Sequence, residues 1–142
     1  MTRIDFYTHV NDKVPVAVQL TCKAWAQGLS VWLRVPDEAV AGHLDQLLWT
    51  HPKAEFVPHC RSDHPLVAET PIVIDAHDHE PRSHQLLINL RGDQPAYFAR
   101  FARLAEIVTL EESDAQNARE RFKFYRHRGF EVATHNLSHH RF

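Results

Sequence analysis

Twelve histidines in a chain of 142 residues are the first feature that could support chemistry. His77 and His79 flank Asp78, with His84 further on, and His59, Cys60 and His64 form a second group. A zinc site gathers three or four ligands at about 2.0–2.3 Å, usually from short paired spacings on rigid elements. A His-x-His pair in a polar loop falls short of that number, and His139-His140 lies in a terminal tail. The spacing favours surface histidines over a metal centre, and no metal or other cofactor is expected. Cys22 and Cys60 lie far apart with no CxxC spacing, as two reduced thiols of a cytosolic protein would. There is no G-x-S-x-G elbow. The carboxylate pairs Asp75/Asp78 and Glu111/Glu112 fall at a predicted strand end and helix start, where acidic groups are commonly structural. No catalytic residue is expected.

The stretch Ser113 to Phe130 is more informative. It reads as one helix, with Ser113 or Asp114 able to cap its first turn and Gly129 supplying the stop. Arg126, His127 and Arg128 fill the last turn, where cations meet the negative end of the helix dipole. At about 100° per residue, Ala118, Phe122 and Tyr125 share a stripe that should face a core. Arg119, Lys123 and Arg126 form the neighbouring stripe, with Phe122 at the border. A row of cations beside an aromatic edge suits a ligand that is both acidic and apolar, although a solvated basic face has the same periodicity. Periodicity gives Phe124 no role beyond a second packing contact.

The elements that must position this helix read in order along the chain. Arg3 to Thr8 and Leu29 to Val35 are predicted strands on either side of a helix over 15–27 that Gly28 ends. Pro36 and Asp37 open a second helix with the stripe Val40, Leu44, Leu47 and Leu48, continuing to Trp49. Prolines at 52, 58 and 65 break the pattern from Thr50 to Pro71. Strands are predicted at Pro71–Ala76, Gln85–Leu90, Glu106–Leu110 and Phe130–Thr134, with a further helix over Pro95–Leu104. The result is an α/β fold of about six strands and four helices, a three-layer domain with a mostly parallel sheet and right-handed crossovers. Its four glycines form neither GxGxxG nor GxxxxGK[ST], so a Rossmann-like shape is expected without nucleotide binding. One domain over residues 1–137 is expected, followed by a short tail over 138–142.

Hydrophobic residues make up 44% and charged residues 24%, as in a soluble globular protein. The net charge of −2 argues against general coating of nucleic acid, which needs a basic excess, so any cationic site is local. No stretch reaches the roughly 20 apolar residues that span a bilayer, and a cytoplasmic protein without membrane contact is expected. Trp49, Phe56, Val57 and Pro58 group apolar side chains in a proline-restricted segment, either as a partner-binding patch or as a loop covering its own core.

The runs ARERFKFYRHRGF, LLWTHPKAEFVPH at 47–59 and LLINL at 86–90, in this order and spacing, resemble the chi subunit of bacterial DNA polymerase III. The resemblance extends from DFYT at 5–8 to ATHN at 133–136. It implies a non-catalytic Rossmann-like subunit in the bacterial cytoplasm at the replication fork. Such a subunit pairs with the psi subunit of the clamp loader and holds the acidic, phenylalanine-ended C-terminal tail of single-stranded-DNA-binding protein, its contact with DNA being indirect. By resemblance the tail site uses Val108, Arg119, Phe122 and Lys123; the helical wheel adds Arg126. The psi surface, which can also serve a DNA-repair helicase, carries over to Trp49, Phe56 and Pro58. Well-studied members have a further lysine where this chain has Ala115, a change that weakens the tail contact by roughly 0.2–1 kcal/mol. Two alternatives stay open on the residues alone. One is a stand-alone peptide- or single-stranded-nucleic-acid-binding domain using the same helix, and the other is a small metal enzyme built on the histidines.

Overall fold

The computed structural model describes residues 1–50 and 57–138. Among the described residues seven strands form one sheet: β1 (Arg3–Val10), β2 (Val31–Arg34), β3 (His59–Arg61), β4 (Ile72–Asp75), β5 (Leu86–Asn89), β6 (Arg103–Thr109) and β7 (Glu131–Asn136). Their spatial order is β3-β4-β2-β5-β6-β1-β7, and every neighbouring pair is parallel. Parallel neighbours need crossovers, and three α-helices among the described residues supply part of them: α1 (Lys13–Ala26), α2 (Glu38–Thr50) and α3 (Glu112–His127). The chain leaves β1 and moves through α1 and α2 toward the β3 edge, then returns through α3 to the β7 edge. Right-handed connections running in opposite directions must lie on opposite faces of the sheet. Accordingly α1 and α2 pack with Val31, Leu33, Ile72 and Ile74 on one face. Residues of α3 pack with Ile4, Phe6, Trp32 and Leu104 on the other. Both faces are covered, so β2, β4 and β5 are buried along their whole length.

Local chemistry sets the helix ends. Asp12 accepts the Val14 N–H at 3.1 Å and Asp37 accepts the Val40 N–H at 2.9 Å, each satisfying a first-turn donor. At the far end of α3, Gly129 has φ +84°, and its N–H reaches Arg126 O while the Phe130 N–H reaches Tyr125 O. That pair of bonds closes the last turn and needs a residue indifferent to positive φ.

Four expectations change. Pro95–Leu104 is not an α-helix: it holds one 3-10 turn, Phe98–Arg100, and then enters β6. The aromatic spacing is real, since Phe98 and Phe101 are both buried, but a single turn suffices to deliver them to the face that α3 covers. The proline-rich stretch contains β3, a three-residue edge strand too short and too polar to show a strand pattern. The sheet is wholly rather than mostly parallel. The α3 cap also differs: Ser113 and Asp114 lie inside the helix, and Asp114 instead accepts the Thr109 N–H at 2.8 Å and its hydroxyl at 3.0 Å. Lys13 adds an ion pair to Asp114 at 3.1 Å, so the first turn of α3 is tied to β6 and α1. Burial pushes the Asp114 carboxyl up, but these donors and the Lys13 charge outweigh it and hold the group below the usual carboxylate range.

Candidate functional site

The face of α3 that meets the sheet carries Ala118, Arg121, Phe122 and Tyr125, an i, i+3, i+4, i+7 stripe. Tyr125 and Ala118 are buried, and Phe122 is half-buried against Phe6 in an edge-to-face contact at 5.4 Å. The N-terminal half of α3 borders an opening along the sheet. A cleft of about 330 Å³ lies there, over the carboxyl-terminal halves of β1 and β6. Its apolar lining is Phe6, Val108, Ala115, Ala118 and Phe122, with Leu110, 59% exposed, at its lip. Thr8, Thr109 and Thr134 contribute hydroxyl-bearing side chains, Arg119 and His9 the basic ones, and among the described residues no carboxylate lines it. The chemistry matches an apolar group attached to an anion.

The structure brings Val108, Arg119 and Phe122 together in this cleft. Arg119 reaches over the opening, 3.6 Å from the exposed carboxylate of Glu112. Lys123 does not line the cleft; it is exposed and 3.8 Å from Glu120. Arg126 lies behind Phe122, its guanidinium 5.7 Å from the ring centroid, a distance suited to cation–π attraction. The basic row thus divides into one cation at the cleft and two beside it. Phe124, on the far side, packs edge-on against Phe98 and carries Arg128 at 4.6 Å over its ring.

Arg121 belongs to neither group. It is buried, donating from Nε to Glu106 at 3.1 Å and from Nη1 to Gly92 O at 2.7 Å. Glu106 also accepts from Asn89 at 2.7 Å and from the Tyr125 hydroxyl at 2.7 Å. Burial, with the Glu106 charge adding to it, raises the Tyr125 phenol far above its ordinary value, so it stays a donor. Arg34 continues the network with a two-pronged pair to Asp93, each bond 3.1 Å. Asp75, Arg34, Asn89 and Glu106 are register partners across β4, β2, β5 and β6, so one polar row crosses the sheet near the carboxyl ends of its strands. Such ends are where parallel α/β sheets bind ligands. Here the polar groups are spent on one another. Arg121 was discernible only as a cation at a core-facing helical position.

A Ser–His–Asp grouping also occurs, formed by Ser62, His79 and Asp75. The Ser62 hydroxyl donates to Asp75 at 2.8 Å and lies 2.8 Å from His79 Nδ1, which is itself 3.2 Å from Asp75. A nucleophile–base–carboxylate relay needs the two ring nitrogens to face different partners. One nitrogen faces both here, and Asp75 accepts the N–H groups of His77 and His79 at 3.1 Å, so the grouping closes a turn. His77 pairs with Glu38, His59 with Asp45 and His135 with Asp5. Among the described residues no three His, Cys, Asp or Glu side chains converge as a metal site would require. Cys22 and Cys60 form no disulfide and pack with opposite faces of the sheet.

The second expected surface is only partly assembled. Trp49 is 73% exposed at the end of α2, its ring 4.7 Å from that of His59. Pro58 is exposed nearby in sequence, whereas Val57 is 4% exposed and belongs to the core beneath α1 and α2. Val57 therefore anchors the segment and is not presented to a partner, because its apolar side chain gains more from the core. Phe56 lies outside the described residues.

Fold and cleft define a class: an α/β scaffold whose sheet-end polar groups are largely engaged with one another and whose open cleft suits binding. The family described as DNA polymerase III chi subunit, HolC, matches residues 1–133. The chain belongs to that family. It is 36% identical to DNA polymerase III subunit chi of Pseudomonas aeruginosa, over 96% of this chain and 98% of that one. Identity to the subunit chi of Escherichia coli is 32%, over 94% of this chain and 97% of that one. For Haemophilus influenzae it is 31%, over 86% and 85%. Membership makes the chain a DNA replication subunit, part of a polymerase complex and without catalytic activity of its own. No described helix is long and apolar enough to cross a membrane.

Proposed function

We propose that the chain is a replication adaptor. One surface takes the acidic C-terminal tail of single-stranded-DNA-binding protein, and another holds the psi subunit of the clamp loader. The observation that carries the first half is the lining of the cleft: an apolar floor with Arg119 at its rim and, among the described residues, no carboxylate. A terminal phenylalanine is a good match for that floor, and its carboxylate for the guanidinium. Burying such a ring contributes about 1.5–3 kcal/mol. Lys123 and Arg126 extend the positive field along α3 toward the acidic residues that precede the tip. For the second half, exposed Trp49 with Pro58 supports a docking surface for psi or for a DNA-repair helicase, since tryptophan is enriched at interface hot spots. On this reading the subunit works in the bacterial cytoplasm and touches DNA only through its partners.

Analytical ultracentrifugation of the chain with intact single-stranded-DNA-binding protein, and with that protein lacking its last residues, tests the proposal. Co-sedimentation with the intact form alone is expected. Equal binding to both forms, or binding to bare single-stranded DNA with a steep salt dependence, would favour the nucleic-acid-binding alternative.

A further inference from the structure

Side chains alternate across a strand, so in β1 Phe6 and Thr8 face α3 while Tyr7 faces the α1 side. His9 should follow Tyr7, away from the cleft. A bulge prevents this. Tyr7 pairs with Ile107 and Val10 with Thr109, so Thr8 and His9 together oppose Val108 alone. The extra residue is absorbed at His9, whose φ of 62° lies in the left-handed region that side-chain-bearing residues seldom occupy. Bulges re-aim side chains. The re-aimed ring joins Phe6 and Thr8 in the cleft lining, and Val10 resumes the alternation in the core of the α1 face.

The consequence is electrostatic. Where α3 lines the cleft it contributes Ala115 and Ala118, and Arg119 is its one cation there. From the other elements, Phe6, Thr8, Val108, Thr109, Leu110 and Thr134 are uncharged; of the acids beside the lining, Glu112 lies 3.6 Å from Arg119, and Asp114 is taken up by Thr109 and by Lys13 at 3.1 Å. His9 Nδ1 lies 2.8 Å from the Thr8 hydroxyl, which can accept from a protonated ring, leaving Nε2 as the nitrogen a ligand would meet. We propose that His9 is the second cation of the cleft: as an imidazolium it pairs with a carboxylate of the acidic peptide across from Arg119. Peptide binding then tightens as pH falls through the histidine range. This rests on the adaptor reading above.

Histidine ordinarily changes charge between about pH 5 and 8, whereas peptide carboxylates stay ionised down to roughly pH 5. Fluorescence anisotropy with a labelled acidic peptide ending in phenylalanine, at about pH 8 and about pH 5.5 and constant ionic strength, therefore reads histidine charge, and variants at position 9 assign the effect to His9. The variants are His9→Asn and His9→Gly, both of which accept a left-handed φ and so spare the bulge. The wild type is expected to bind about two- to fivefold tighter at the lower pH, the range of an exposed ion pair, and both variants to show no such gain. A wild type with no pH dependence, or variants that gain as much as the wild type, would overturn the role of His9 while leaving the adaptor reading intact. A wild type that binds the peptide at neither pH would overturn both.

Discussion

Replacing Glu106 with leucine is expected to be among the most damaging single changes on the α3 side of the sheet. The Glu106 side chain is 0% exposed, and its carboxylate accepts from Asn89, Arg121 and Tyr125 at 2.7, 3.1 and 2.7 Å. Its removal strands Arg121, whose side chain is 5% exposed and keeps one bond, to Gly92 O. Breaking a buried pair by deleting one partner costs about 3–5 kcal/mol, against a total stability of roughly 5–15 kcal/mol. Arg121→Met should fall near the low end, about 3 kcal/mol, because two neutral donors still serve the remaining carboxylate. The double variant fills both places with apolar volume and should cost less than the sum of the singles by at least about 1 kcal/mol. Urea unfolding followed by tryptophan fluorescence reads this out, since Trp32 is buried in the same cluster. At a denaturant slope of roughly 2 kcal/mol/M, each single change lowers the midpoint by about 1.5–2.5 M. A double variant whose loss equals the sum within about 0.5 kcal/mol would refute the coupled network.

Two further perturbations separate scaffold from surface. Asp114→Asn keeps an acceptor for the Thr109 N–H but loses the Lys13 pair, and is expected to cost about 1 kcal/mol at neutral pH. Because the folded Asp114 carboxyl is held below its unfolded value of about 3.9, its contribution is complete above that pH and fades as pH falls through the folded value. The gap between wild type and variant in denaturant midpoint should therefore close below about pH 4. Trp49→Ala removes an exposed ring and should change stability by no more than about 0.5 kcal/mol. It should nonetheless abolish co-elution with the psi subunit on size exclusion; undiminished co-elution would remove Trp49 from that surface.

The parts of the fold legible in the sequence are those with one period and a marked end. Helix α3 declares itself through Ala118, Phe122 and Tyr125 and stops at Gly129, where positive φ is required. Strands β4 and β5 are short apolar runs because both their faces are covered. The errors fall where two structures share one pattern. Tyr97, Phe101 and Leu104 are spaced as on one helix face with Phe98 beside them, yet a 3-10 turn followed by a strand buries Phe98, Phe101 and Leu104. At the cleft, helix periodicity puts Arg119 and Phe122 on neighbouring stripes of α3, whereas Val108 was indicated only by the family resemblance. His9 was not legible, because the bulge that reverses it exists only as a mismatch between paired strands. Likewise Val57 reads as a surface residue among prolines until the core beneath α2 is in view.

The central claim is that the cleft beside Arg119 and Phe122 recognises an acidic peptide by its aromatic end. The most direct test is fluorescence anisotropy at neutral pH and low salt, with that peptide intact and with its final phenylalanine deleted. The intact peptide is expected to bind, with a loss of about 10- to 100-fold on deletion, the value of burying one ring. Arg119→Ala should weaken the intact peptide by about two- to fivefold. Equal affinity for the two peptides, or no binding to either, would contradict the account and leave the basic face of α3 without its ligand.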